Sequence, residues 1–371
     1  MQEGSNLKVQ EKDNLAIRQV ENYNSFDLAK FICSILVVMI HAPLFGNAEG
    51  SSVFYYVNFL LNQGIARVAV PLFFIISGFF VYKKTELENC SIKTNIKYIK
   101  RYMQIYVIWS LIYFPLSLRV MRANAGGILL GAVEYIKDFF LVASYGQLWY
   151  LLALFVSVLL VSFLLGRNWQ PKKIFYLSLA FYVFGILGSG YFGVISPFLD
   201  TQFFGEIIKV YFDIFKNTRN ALFFGFFFVS VGMLLSKSKI KMSTGKSLVL
   251  FLISLFMMCV ESLLLEKLDI AKTHELLLFT APTAVFCFIF LKDLNLKNNR
   301  IYKKLRVMSS LIYYCNLWGI AIVSQILSLI DEKLKNTPIW FVSALTLTIV
   351  IAMIIIKLSD KKYFRWLKRL Y

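Results

Sequence analysis

The chain has 371 residues, of which 58% are hydrophobic, 17% aromatic and only 16% charged, with a mean hydropathy of +0.65. That balance excludes an ordinary soluble globule and indicates an all-α, polytopic integral membrane helical bundle. The formal charge of +19 suggests nucleic acid at first sight, but the basic residues are spread over tails and short connections instead of forming one patch, which argues against nucleic-acid binding.

A stretch must supply roughly 20 apolar residues to cross the hydrocarbon layer as a helix. In chain order this predicts a cytoplasmic N-terminal tail over 1–22 and ten spans near 26–45, 67–83, 102–121, 147–166, 173–190, 220–236, 247–265, 274–291, 308–330 and 338–357. The transmembrane domain is placed at 23–358 and a basic cytoplasmic tail at 359–371. Two shorter amphipathic segments, 53–66 and 127–142, read as interfacial or re-entrant helices. The first run keeps Lys30 and an acidic residue near its start and has no small-residue cleavage site after it, so it reads as a retained helix and not a signal peptide. The five cysteines form no CxxC pair and their number is odd, which predicts neither a disulfide framework nor a metal site.

Lysine and arginine alternate in density along the connections. The N-terminal tail, alternate loops and the C-terminal tail carry 28 of them, and the opposite side carries 10. By the positive-inside rule both termini are then cytoplasmic, and the basic surplus also suits contact with anionic lipids.

The first span, FDLAKFICSILVVMIHAPLF (26–45), holds an Asp, a Lys and a His. Lys30 and His41 are eleven residues apart, which brings them to nearly the same helix face about 16 Å apart along the axis. Asp27 lies three residues before Lys30, near enough for a local ion pair. Such a stripe is costly against lipid and should face a polar cavity. The spacing alone reads equally well as a snorkelling lysine and a histidine bonded to a neighbouring helix. His41 is one of two histidines; the other, His274, sits in the charged string KTHE, where solvation is the simpler expectation. A neutral imidazole suits activation of a hydroxyl or amine.

The register of Asp27, Lys30 and His41 resembles the first helix of the membrane acyltransferase-3 superfamily, which usually has Arg where Lys30 stands. Further strings match in order: RVAVPLFFIISGFFVYKK (67–84), YIKRYMQIYVIW (98–109) and GQLWYLLAL (146–154). TRNALFFGFFFVSVG (218–232) and SSLIYYCNLWGI (309–320) resemble a Gram-positive branch that includes the membrane domain of vancomycin-resistance serine racemases. The resemblance implies a bacterial cytoplasmic-membrane O-acyltransferase with no bound cofactor. It would move an acyl group, usually acetyl, from cytoplasmic acyl-CoA to a hydroxyl or amine of an extracytoplasmic glycan or other cell-envelope acceptor. On that reading His41, Asp27 and Lys30 are catalytic, and Lys83, Lys100 and Arg101 meet the donor phosphates, although simple topology explains Lys83 and Lys100 equally well. Trp149, Tyr150, Arg67, Arg219, Glu261 and Asn316 fall along the substrate path, Glu261 because a lone carboxylate in VESLLL should face a cavity or a cation. Two positions depart from the family pattern: Asn316 stands where many relatives have a second His, and Gln104 where they have a basic residue. The racemase-linked branch also suggests a different class, a transporter of a small amino acid such as serine.

Overall fold

The computed structural model describes residues 23–50, 52–123, 126–238, 240 and 242–371; the expected tail 1–22 lies outside them. The first helix, α1 (Asn24–His41), is followed by a continuous stretch that begins as α2 (Val53–Phe59) and passes through a π turn (Leu60–Gly64) and a 3-10 turn (Ile65–Val68) into α3 (Ala69–Lys83). The segment expected as a separate interfacial piece at 53–66 is thus the beginning of the second span. Next come α4 (Ile92–Arg122), α5 (Gly127–Leu141), α6 (Trp149–Gly166) and α7 (Pro171–Leu187). The remainder comprises short α8 (Phe192–Ile195), α9 (Gln202–Phe215), α10 (Phe226–Lys237), α11 (Thr244–Lys267), α12 (Thr280–Asp293), α13 (Arg300–Ile330) and α14 (Pro338–Ser359).

Helix starts follow capping chemistry legible in the sequence. Ser91 and Thr94 form a reciprocal capping box at α4. Ser243 and Asn299 accept backbone N–H bonds at α11 and α13, and Pro171 and Pro338 open α7 and α14, where a missing N–H costs nothing.

Among the described residues, seven helices or continuous helical stretches are long and apolar enough to span a membrane. An eighth appears if Pro171–Leu187 and Phe192–Asp200, bent by 83°, count as one broken span. The ten expected spans exceed this count because α10 and α12 are short: α12 has only 14 residues, and Ala221–Lys237 is a shorter apolar helix. Chain length in the apolar runs is partly spent on bends and turns.

Two packings position the site. Helices α1 and α13 run side by side in the same direction, with Asp27 beside Arg306 at one end and Ala42 packed with Ile320 and Val323 at the other. Helices α3 and α10 cross closely at glycines: a Cβ on Gly78 would lie 2.6 Å from the carbonyl oxygen of Val229. Small residues permit such backbone approach between membrane helices. The apolar residues of α11 and α14 that face outward, among them Val249, Phe256, Val342 and Ile354, match a lipid-facing surface. The C-terminal segment does not trail away: Lys362–Leu370 forms a 3-10 stretch held to the bundle by Trp109 Nε1, which donates to the Leu370 carbonyl at 3.0 Å.

Candidate functional site

The stripe on α1 faces polar space at both ends. At one end Lys30, Arg101 and Arg306 line a cavity of about 260 Å³, together with Ser77, Tyr102 and Tyr371. Asp27 is buried there, yet it does not pair with Lys30 as its spacing suggests. Its two carboxylate oxygens accept from Nε and Nη2 of Arg306, each at 2.7 Å. The planar guanidinium offers two parallel donors that an ammonium lacks, so Arg306 takes the carboxylate in fork geometry. Lys30 stays beside the cavity with its Nζ 5.6 Å from the centroid of Phe80. Arg101 donates to the main-chain carbonyl of Tyr371 at 2.8 Å. Asp27 neutralises Arg306, and Lys30 and Arg101 add two further cations to the lining.

Three of the residues that line the cavity are aromatic rings packed together. Phe73, Tyr150 and Tyr313 form a triangle with centroid separations of 6.0, 5.8 and 5.4 Å. Tyr313 donates its hydroxyl to the Gln147 carbonyl at 2.8 Å, and Gln147 Nε2 reaches the Tyr314 carbonyl at 3.2 Å. The 3-10 turn Gly146–Leu148 is thereby locked to α13. Tyr313 lines the cationic cavity on one side and a second, smaller cleft on the other.

That second cleft, about 40 Å³, is lined by His41, Arg67, Gln147, Trp149, Arg219 and Glu275, with apolar neighbours and Tyr313 as the shared wall. Arg67 stands in the 3-10 turn before α3, Arg219 just before the π turn Ala221–Gly225, and Glu275 just before α12, so three chain breaks supply the charges. Arg219 hydrogen-bonds Glu275 Oε1, and Arg67 Nη1 lies 3.5 Å from the same oxygen. The Arg219 guanidinium also lies 4.9 Å from the Trp149 ring centroid, a cation–π contact. Trp149 further borders a charged cavity of about 330 Å³ that includes Glu134, Asp138 and Lys216, and an apolar groove of about 360 Å³. His41, Arg67, Arg219 and Trp149, expected on the site, therefore meet at one place, and Lys30, Arg101 and Tyr150 at the other.

Other expected residues lie elsewhere. Lys83 bonds the Tyr23 hydroxyl and sits 4.4 Å from that ring's centroid, outside the cavity lining. Lys100 is exposed and also off the lining, as is Gln104. Among the described residues Glu261 pairs with no cation: it accepts from Leu278 N at 2.7 Å, Phe279 N at 2.9 Å and the Tyr191 hydroxyl at 2.9 Å. Those N–H groups precede α12, and a carboxylate near a helix start satisfies them and its dipole. Asn316 is fully buried and donates to the Tyr313 carbonyl at 2.6 Å, without lining either chamber. His274 is buried, not solvated; it packs edge-on to Phe59 with Nε2 3.5 Å from Glu266. Burial lowers its pKa, with Glu266 acting in the opposite sense.

Sequence reasoning missed Arg306, Glu275, Gln147 and Tyr313. Arg306 read as one more charge in a basic loop, and Glu275 as part of a solvated connection; only the partners across the fold reveal them. Among the described residues no group of three or more His, Cys, Asp or Glu side chains is arranged to hold a metal ion.

The apolar helices of the bundle, enclosing two polar chambers that share Tyr313, are those of a multi-pass membrane protein. A family model described as an acyltransferase domain, acyltransferase-3, matches residues 23–357, and the chain belongs to that family. It is 30% identical over 318 residues to a serine/alanine racemase of Enterococcus gallinarum, covering 84% of this chain and 43% of that protein. Two amino-acid racemases of Enterococcus faecalis are 25% and 27% identical, over 90% and 91% of this chain and 45% and 46% of their own lengths. The chain thus spans less than half the length of these curated relatives. No solved structure gives a significant match.

Proposed function

We propose that the protein transfers an acyl group, most simply acetyl, from cytoplasmic acyl-CoA to a hydroxyl or amine of an extracytoplasmic acceptor such as a cell-envelope glycan in a bacterial membrane. The observation that carries this reading is the placement of Tyr313, one side chain that bounds both the cationic chamber at Lys30 and the His41 cleft. With the termini cytoplasmic, as the charge distribution favours, the Lys30 chamber opens inward. Arg101, Lys30 and Arg306 then complement donor phosphates, and the narrow thioester arm reaches toward the aromatic wall.

At the opposite end His41 accepts the proton of the acceptor's hydroxyl as its oxygen attacks the thioester carbonyl. The new C–O bond forms, the C–S bond breaks, and the departing thiolate takes up the equivalent of the proton that His41 releases, so that it leaves as the free thiol and the imidazole returns to neutral. Asp27 contributes by holding Arg306 at the inner mouth, so it is a positioning residue at the donor end. The family membership supports the transfer chemistry; Asn316, which lines neither chamber, has a place in the packing of α13 and none in proton exchange, since an amide does not titrate near neutral pH.

Two chambers that share one side wall, Tyr313, also suit a transporter that exposes one site alternately to each side. The names of the Enterococcus relatives favour an amino acid as its cargo. Incubating membranes with labelled acetyl-CoA separates the two. Acyl transfer predicts incorporation that falls about 10²–10⁴-fold in His41→Ala. Equal labelling in both removes His41 from the chemistry, and uptake of labelled serine without acetyl incorporation establishes the transporter instead.

A further inference from the structure

The cleft beside His41 holds more positive charge than it cancels. Arg67 and Arg219 both aim Nη1 at one oxygen, Glu275 Oε1, so one carboxylate faces two guanidinium groups. The three side chains are only 14%, 28% and 12% exposed for Arg67, Arg219 and Glu275. Arg67 Nε also donates to the Gln63 amide oxygen at 3.0 Å, and Arg219 lies over the Trp149 ring. Arg219 Nε is buried without a hydrogen-bond partner. The neighbouring cavity, which Arg219 also lines, contains Glu134, Asp138 and Lys216, with Asp138 joined to Lys216; in the lining of the His41 cleft itself one carboxylate, Glu275, stands against two guanidiniums. A desolvated cation without its counter-charge is costly.

We propose that the missing counter-charge arrives with the ligand: Arg67 and Arg219 form a subsite for a carboxylate or phosphate group carried close to the nucleophile that His41 activates. Glu275 is the positioning residue, holding the two guanidiniums side by side when the site is empty and competing with the incoming anion. Naming the ligand an acyl acceptor rests on the acyltransferase reading; the anion subsite itself does not.

The test uses the full chain in phosphatidylcholine nanodiscs and isothermal titration with glycerol 1-phosphate and glucuronate, against glycerol and glucose as neutral counterparts. The expected result is saturable binding of at least one anion and of neither neutral compound, and which anion binds distinguishes phosphate from carboxylate. Arg219→Gln weakens that binding about ten-fold or more, Glu275→Gln tightens it, and Lys100→Gln, which lies off both chambers, leaves it unchanged. The Glu275→Gln arm, a predicted gain, stands even if Arg219→Gln fails to fold. The proposal is overturned by no anion binding to the unaltered protein, by neutral compounds binding as well, by unchanged or weaker binding in Glu275→Gln, or by loss that follows Lys100→Gln instead of Arg219→Gln. Anion binding without acetyl transfer supports the subsite and counts against the acyltransferase reading alone.

Discussion

The two ends of α1 solve opposite problems with the same few residue types. At the Lys30 end the cavity is about 260 Å³ and its cations stand apart, one neutralised by Asp27 and the others held against an aromatic ring or a main-chain carbonyl. At the His41 end the cleft is about 40 Å³, and two cations converge on one carboxylate. A roomy site with separated cations suits grip on a large, multiply charged molecule. A tight site with converging charge suits orientation of one small group beside an imidazole. On the acyl-transfer reading the contrast puts holding at one end and chemistry at the other, with Tyr313 bordering both.

The assignment is sharpened most by the cations of the roomy end. Arg101→Gln is expected to raise the acetyl-CoA concentration for half-maximal transfer by about 10–100-fold, the worth of a charged hydrogen bond, while the maximal rate changes little. The adjacent Lys100→Gln, which is off the cavity, leaves the saturation curve in place. An equal effect of both substitutions would dissolve the distinction between lining and topology charges. Asp27→Asn removes a bidentate pair whose arginine is 58% exposed. Allowing for solvent screening, the expected loss is about 1–2 kcal/mol in thermal or denaturant unfolding of the detergent-solubilised protein. No loss would mean that the inner mouth is held by other contacts.

At the wall between the ends, Tyr313→Phe keeps the ring and deletes the hydroxyl that donates to the Gln147 carbonyl. The expected cost is about 1 kcal/mol of stability, with acetyl-CoA half-saturation unaltered. A large shift in donor saturation would make Tyr313 part of the donor site instead of the partition. The smallest effect concerns His274. Its folded-state pKa is depressed by burial, so the unfolded chain binds the proton first as pH falls through roughly 6.5. Stability is therefore full above that pH and declines below it. His274→Asn should flatten the slope of unfolding midpoint against pH between 7 and 5, and an unchanged slope would place the titration elsewhere.

The sequence made the stripe legible because helical periodicity is local: Lys30 and His41 share a face whatever surrounds them. It also indicated the aromatic positions Trp149 and Tyr150, although not that neighbouring residues would serve opposite chambers. What it hid were partnerships of long range. Arg306 is 279 positions from Asp27, and nothing in a basic loop marks one arginine as the carboxylate's partner. Glu275 and His274 sit in a polar connection that folds inward, so local polarity suggested solvent where the bundle supplies burial. Glu261 misled for the converse reason: a lone carboxylate in an apolar run signals a buried demand, and here two backbone N–H groups and a tyrosine hydroxyl meet it. The count of ten spans exceeds the seven or eight helices long and apolar enough to cross a membrane among the described residues, because hydropathy does not register the 83° break after α7 or the shortness of α12.

The most direct test of the account places donor and product on opposite faces of one membrane. Sealed vesicles of known orientation receive acetyl-CoA labelled in the acetyl group only at the face where the Lys30 chamber opens, and the label is then traced to acceptors on the far face. The account predicts labelled acceptor across the membrane, absent when His41 is replaced by Ala. Label confined to the donor's own face, or crossing undiminished without His41, would contradict it.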